Sequence, residues 1–284
     1  MRWDRLRRSD NVEDRRSQRA VRVGGGFGLG GLLLVLLASF ALGRNPLELL
    51  ALLQDSGVGS APGESGPPPP ADDPGADFVR AILGDTEDTW TRLFDRMGAR
   101  YEEPRLVLFR DAVNSACGFQ GAAVGPFYCP PDSRVYLDLG FFQELEQRFA
   151  VPGDFARAYV IAHEIGHHVQ NLIGVSEKVT AQRPRLSEEQ GNALSVRVEL
   201  QADCLAGVWG HYAKRRNLVD FSDVQSALAA ATAIGDDRLQ MRSRGYVAPE
   251  SFTHGSSEQR TRWFEVGLQA GEVGACDTFS ARSL

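Results

Sequence analysis

The stretch Ala162-His163-Glu164-Ile165-Gly166-His167-His168 sets two histidines four residues apart, with a glutamate directly after the first. On an α-helix, residues four apart share one face, so His163 and His167 can point ring nitrogens at a single ion. Glu164 sits about 100° further round. From there its carboxylate reaches a metal-bound water without occupying a coordination position, the arrangement of metal-assisted hydrolysis. The flanks predict a helix. Asp154 to Ile161 contains no Gly or Pro, Pro152-Gly153 ends what precedes, and Asp154 is a fair N-cap. Gly166 costs about 1 kcal/mol against alanine inside a helix, so either substrate backbone or a packed element is expected to pass close to it.

Two histidines do not hold a catalytic zinc; a third protein ligand is expected, with water in the fourth position. Ser187 to Gln190 forms an S-x-x-Q capping box, and the helix it opens carries Val198-Glu199-Leu200-Gln201-Ala202-Asp203-Cys204. Glu199 and Asp203 lie four apart beside the apolar stripe Leu200, Cys204, Gly207 and Val208. Acids at the edge of an apolar helix need a buried positive partner, which a metal supplies. Glu199 is assigned as third ligand and Asp203 as acceptor for the far ring nitrogen of a ligand histidine. The reverse assignment stays open.

The chain has 284 residues, enough for one catalytic domain and an appendage, and its net charge of −6 speaks against nucleic acid as a partner. Residues 1–23 read as a solvated, Arg-rich cytoplasmic tail. Residues 24–43 carry no charge and are long enough to cross a bilayer as a single helix, with 77–284 then extracytoplasmic, periplasmic or extracellular. A signal peptide cleaved near Ser39-Phe40-Ala41 competes with that anchor. Residues 44–76, with Pro67-Pro68-Pro69-Pro70, read as a linker. The folded part is expected over 77–284: helices at Phe78 to Leu83 and Thr86 to Met97, strands at 106–109 and 134–138, then helical spacing from Phe141 to Phe149. A later helix is expected to be capped at Ser222 and to run to about Arg244. Cys117, Cys129, Cys204 and Cys276 form no C-x-x-C pair, and an even count in an exported chain favours disulfides. Of the three pairings, proximity favours Cys117–Cys129, leaving Cys204–Cys276. His254 is a candidate to stabilise an oxyanion, with Tyr212 behind it; His168 and His211 read as structural.

The run His163 to Asn171, taken with Glu199 to Cys204, resembles the bacterial "putative neutral zinc metallopeptidase" family. So do Cys117-Gly118, Gly125 to Pro130, Val135 to Asp138 and Phe252 to Ser256. The resemblance implies an α+β, zincin-like fold, mainly helical, with a small sheet whose edge strand runs above the motif helix. It also implies one zinc per chain and a peptide or protein substrate, cut by an endopeptidase rather than an exopeptidase. A tethered binding domain with a closed, structural zinc is the competing reading, recruiting Asp203 or His254 as fourth ligand. A hydrolase of non-peptide substrates is a third.

Overall fold

The computed structural model describes residues 1–18, 68–70 and 72–284. Helix α1 (Pro74–Arg96) starts at Asp73, whose carboxylate accepts the Gly75 and Ala76 N–H groups and so satisfies two orphan donors of the first turn. The two helical segments expected before Met97 are one continuous helix, and it begins ahead of the expected domain start at residue 77. Gly84 does not break it: a Cβ there would lie 2.7 Å from the Arg7 carbonyl oxygen, so the glycine makes room for the N-terminal segment.

That segment belongs to a four-stranded sheet of order β1-β2-β6-β5. Strand β1 (Val12–Asp14) runs parallel to β2 (Arg105–Phe109), β2 parallel to β6 (Arg134–Asp138), and β5 (Phe127–Cys129) antiparallel to β6. A hairpin of β3 (Ala112–Ser115) and β4 (Gly118–Gly121) stands beside it. Both expected strands are present, and β1 is a correction: residues 1–18 are not a solvated tail. Their arginines neutralise acids of the body, Arg7 on Glu87 and Asp88, Arg8 on Asp77, and Arg16 on Asp73, Arg16 also pairing with Asp14 of the segment itself. Ser9 and Asn11 both donate to the buried Glu87 carboxylate. A strand cannot hydrogen-bond its neighbour through a bilayer. The cytoplasmic placement of 1–23 opposite an extracytoplasmic 77–284 is therefore overturned by the β1–β2 register. The expected anchor at 24–43 and most of the linker at 44–76 lie outside the described residues. Among the described residues no helix is long and apolar enough to cross a membrane.

Helices α2 (Gly140–Gln147), α3 (Asp154–Leu172), α4 (Val175–Gln182), α5 (Glu188–Arg215), α6 (Phe221–Ala233), α7 (Asp236–Arg244) and α8 (Ser257–Ala270) complete an α+β body. Asp154 is the first residue of α3 rather than its cap, and its carboxylate takes the Trp3 indole N–H. The expected helix to Arg244 is two: α6 is capped by Asp220 in a capping box with Asp223, not by Ser222, and the chain breaks at Ile234-Gly235 before α7. The core joins α1, α3, α5 and α8 through Trp90, Phe155, Tyr159, Trp209 and Phe264, each burial of that size stabilising by about 1.5–3 kcal/mol. Helices α5 and α8 cross backbone to backbone. A Cβ on Gly207 would lie 2.1 Å from the Phe264 carbonyl oxygen, and one on Gly267 would lie 1.8 Å from that of Cys204. The disulfide Cys204–Cys276 closes the same contact, and Cys117–Cys129 ties the β3–β4 hairpin to β5; both match the pairing that proximity favoured.

Candidate metal centre

Helix α3 is buried along most of its length, and α5 packs across it at Gly166, where an added Cβ would meet the Ala202 carbonyl oxygen at 2.8 Å. The close passage expected at this glycine is thus made by a packed helix. It brings Glu199 and Asp203 to the two histidines. The His163 and His167 rings stand edge to face, centroids 4.8 Å apart. Glu199 Oε2 lies 3.2 Å from His163 Nε2 and Oε1 lies 3.5 Å from His167 Nε2. Ligand atoms from His163, His167 and Glu199 all fall within 4.8 Å of one another. Tetrahedral zinc with ligands at about 2.0–2.1 Å separates those ligands by roughly 3.3 Å, so the spacing fits.

The hydrogen bonds behind the rings decide which nitrogens face the site. His163 Nδ1 is 2.8 Å from Asp203 Oδ1, a carboxylate that only accepts, so Nδ1 carries the proton. Gln170 donates its amide nitrogen to the Val198 carbonyl and to Gln201 Oε1. Its own oxygen is left to accept from His167 Nδ1 at 2.9 Å. In the neutral rings both Nε2 lone pairs then confront the Glu199 carboxylate, three acceptors in a partly buried space. Such a set requires a cation. Protons supply it in the metal-free chain. Burial opposes charge on His163, but the Asp203 carboxylate, with Glu199, lifts its pKa to about 10. Burial likewise opposes charge on His167, and Glu199 raises its pKa. Glu199 itself is held well below the carboxylate range by the two histidines despite its burial.

Asp203 lies behind the His163 ring, fully buried. It accepts from Tyr159 Oη at 2.5 Å, from Arg260 Nε (to Oδ2) at 2.9 Å and from Arg260 Nη2 (to Oδ1) at 3.0 Å. Of the two orders left open by the sequence, the geometry has Glu199 facing the imidazole Nε2 atoms and Asp203 on the far side. Glu164 is buried and makes no side-chain hydrogen bond among the described residues; burial raises its pKa above the ordinary carboxylate value. His254 is half-exposed on a loop clasped by Asp236, which accepts the N–H groups of Thr253, His254 and Gly255. Its Nδ1 lies 3.3 Å from Asp236 Oδ1. The next residue, Gly255, packs on Leu200 and Val196, which flank Glu199 on α5, and the Glu199 charge acts on His254. Tyr212 is a correction. Thirteen residues beyond Glu199, about 20 Å along the helix, it donates to the Gly271 carbonyl and is no oxyanion donor. His168 is structural, held by Tyr128 and the Glu102 carbonyl, and His211 meets the Leu268 carbonyl.

Sequence reasoning missed four residues that hold the site: Tyr159, Gln170, Gln201 and Arg260. Gln201 relays the C-terminal segment inward, donating to the Cys276 carbonyl at 2.9 Å while accepting from Gln170. Arg260 had a signal, since a guanidinium three, four and seven residues before Trp263, Phe264 and Gly267 sits on the buried stripe of its helix.

The sequence matches the family described as "putative neutral zinc metallopeptidase" over residues 1–279. The chain belongs to this family. It is 45% identical over 285 residues to "Uncharacterized protein YpfJ" of Escherichia coli (strain K12), covering 98% of this chain and 99% of that protein. It is 44% identical over 219 residues to "Uncharacterized protein Rv2575" of Mycobacterium tuberculosis (strain ATCC 25618 / H37Rv), 73% of each chain. No solved structure matches it with significance. The family match begins at residue 1, in keeping with β1 as a component of the fold.

Proposed function

We propose that the chain is a zinc-dependent peptidase, its metal held by His163, His167 and Glu199. The observation that carries this is the meeting of three lone-pair donors beside a buried, unpartnered Glu164. Zinc bound there lowers the pKa of its water toward about 7 and polarises a carbonyl. Glu164 takes the water proton as the carbonyl is attacked and passes it to the leaving amine. His254, its pKa raised by the hydrogen bond to Asp236, is the residue proposed to stabilise the oxyanion from the rim.

Two disulfides favour an oxidising, extracytoplasmic compartment. Attachment to a membrane at residues 24–43 belongs to the proposal only as a contact that does not carry the chain across, since residues 1–18 and 74–284 share one body. The closed structural zinc is not favoured: Asp203 has both oxygens engaged behind the ring, and among the described residues the ligand atoms that converge are those of His163, His167 and Glu199 alone.

The test uses the full chain. About one zinc per chain and peptide hydrolysis are expected, with Glu164→Gln retaining zinc but losing about 10²–10⁴-fold in activity. Undiminished hydrolysis by Glu164→Gln would remove the glutamate from the mechanism.

A further inference from the structure

We propose that Arg260 is a positioning residue of the metal centre, acting through Asp203 to hold the His163 ring. This rests on the zinc reading of His163, His167 and Glu199 given above. Asp203 is 0% exposed and Arg260 is 3% exposed, so neither charge has water to fall back on. The guanidinium fork meets the carboxylate twice, Nε on Oδ2 and Nη2 on Oδ1, which fixes the carboxylate plane as well as its charge. Oδ1 is the atom that receives His163 Nδ1–H. The guanidinium therefore sets the direction in which His163 Nε2 points; its Nη2 also lies 3.4 Å from His163 Nδ1 and donates to Tyr159 Oη at 3.3 Å, and it makes no hydrogen bond to Glu164, His167 or Glu199. With the ion pair neutral, Asp203 orients the ring as a hydrogen-bond acceptor and adds no net charge to the site. A zinc ion with Glu199 and Glu164 is then likewise balanced.

The crossing of α5 and α8 delivers Arg260 to this place. Gly267 is seven residues, about two turns, after Arg260, and Gly207 is one turn after Asp203, so the two backbone contacts index one helix against the other. Cys204–Cys276 holds that register beside Asp203, and Arg260 Nη1 reaches the Ile234 carbonyl from the other side. Lysine would keep the charge here but not the two-point grip.

The experiment measures zinc affinity of the full-length chain by chelator competition, together with the visible absorption of its cobalt(II) form, which reports ligand geometry. Arg260→Lys is expected to weaken zinc binding about 10-fold or more and to alter the cobalt spectrum. The control is Arg216→Lys, at another arginine on a buried aspartate, where Nη2 alone bonds both Asp85 oxygens at the C-terminal end of α5, about 20 Å from Asp203; it should change neither readout. Because a lone buried charge can prevent folding, Arg260→Met is also read in an Asp203→Asn background, where it should add less than about twofold to the loss caused by Asp203→Asn. A folded Arg260→Lys chain with wild-type affinity and spectrum would overturn the proposal. So would equal losses from Arg216→Lys, or a full, additive loss from Arg260→Met in the Asp203→Asn background. If instead the wild-type chain binds zinc no better than His163→Ala or Glu199→Ala, the underlying centre falls, and the proposal with it, a result distinct from an indifferent Arg260.

Discussion

The Ala202 carbonyl oxygen occupies the space a side chain on Gly166 would need, 2.8 Å from the position of its Cβ. Neighbouring residues on either side are a histidine of the motif and the aspartate behind it. The helix–helix distance and the metal geometry are thus set at one place. Gly166→Ala gains about 1 kcal/mol of helix propensity but forces backbone apart, an overpacking cost of about 1–3 kcal/mol. The net expectation is a lower melting temperature and weaker zinc retention, checked by thermal melts and chelator competition.

Zinc removal should make stability pH-dependent in a defined direction. His163 has a pKa of about 10 in the folded, metal-free chain, against about 6.5 unfolded. A raised pKa contributes its stability in full below the unfolded value and loses it as pH climbs through the folded one. Asp203 and Glu199 are depressed, so their contribution is present above about pH 4 and lost as pH falls further. The zinc-free chain should therefore melt highest near pH 5–6.5 and progressively lower toward pH 10, whereas the zinc-loaded chain should vary less. A zinc-free melting temperature that climbs between pH 6.5 and 10 would contradict the assignment.

His254 is drawn to a higher pKa by its hydrogen bond to Asp236, against its burial and with help from Glu199. Activity that uses the imidazolium declines as pH rises through that value. His254→Ala should cost about 10²–10³ in kcat with zinc content unchanged, and Asp236→Asn should move the alkaline limb to lower pH. A pH–rate profile indifferent to both changes would return His254 to a purely structural role.

Reduction of Cys204–Cys276 opens a loop with a sequence separation of 72, worth about 4 kcal/mol in the chain-entropy account. It also loosens the relay from the Cys276 carbonyl through Gln201 and Gln170 to His167. Lower melting temperature and faster zinc loss are expected under reductant. Equal zinc retention in oxidised and reduced protein would sever the disulfide from the site.

The parts legible in the sequence were those with local signals. The motif helix, the Ser187–Gln190 capping box, β2 and β6 follow from spacing and propensity within a few residues. What escaped depends on partners far along the chain. Eight arginines in residues 1–22 read as a solvated tail because their acids, Asp73, Asp77, Glu87 and Asp88, come more than 50 residues later. Arg260 gains its meaning only when Gly207 and Gly267 let two helices touch. The break at Gly235 went unseen because the alanine-rich run before it continues helical composition to its last turn.

The position of β1 bears on any attempt to trim the molecule. A chain begun at residue 77 would lack the strand that covers β2, baring the backbone of Leu106 to Leu108 as a raw sheet edge on which strangers' strands could dock. The Glu87 carboxylate would lose Arg7, Ser9 and Asn11 together. Processing near Ala41 would have a gentler effect, leaving residues 1–18 within a separate peptide that the rest of the fold must grip without a covalent tie.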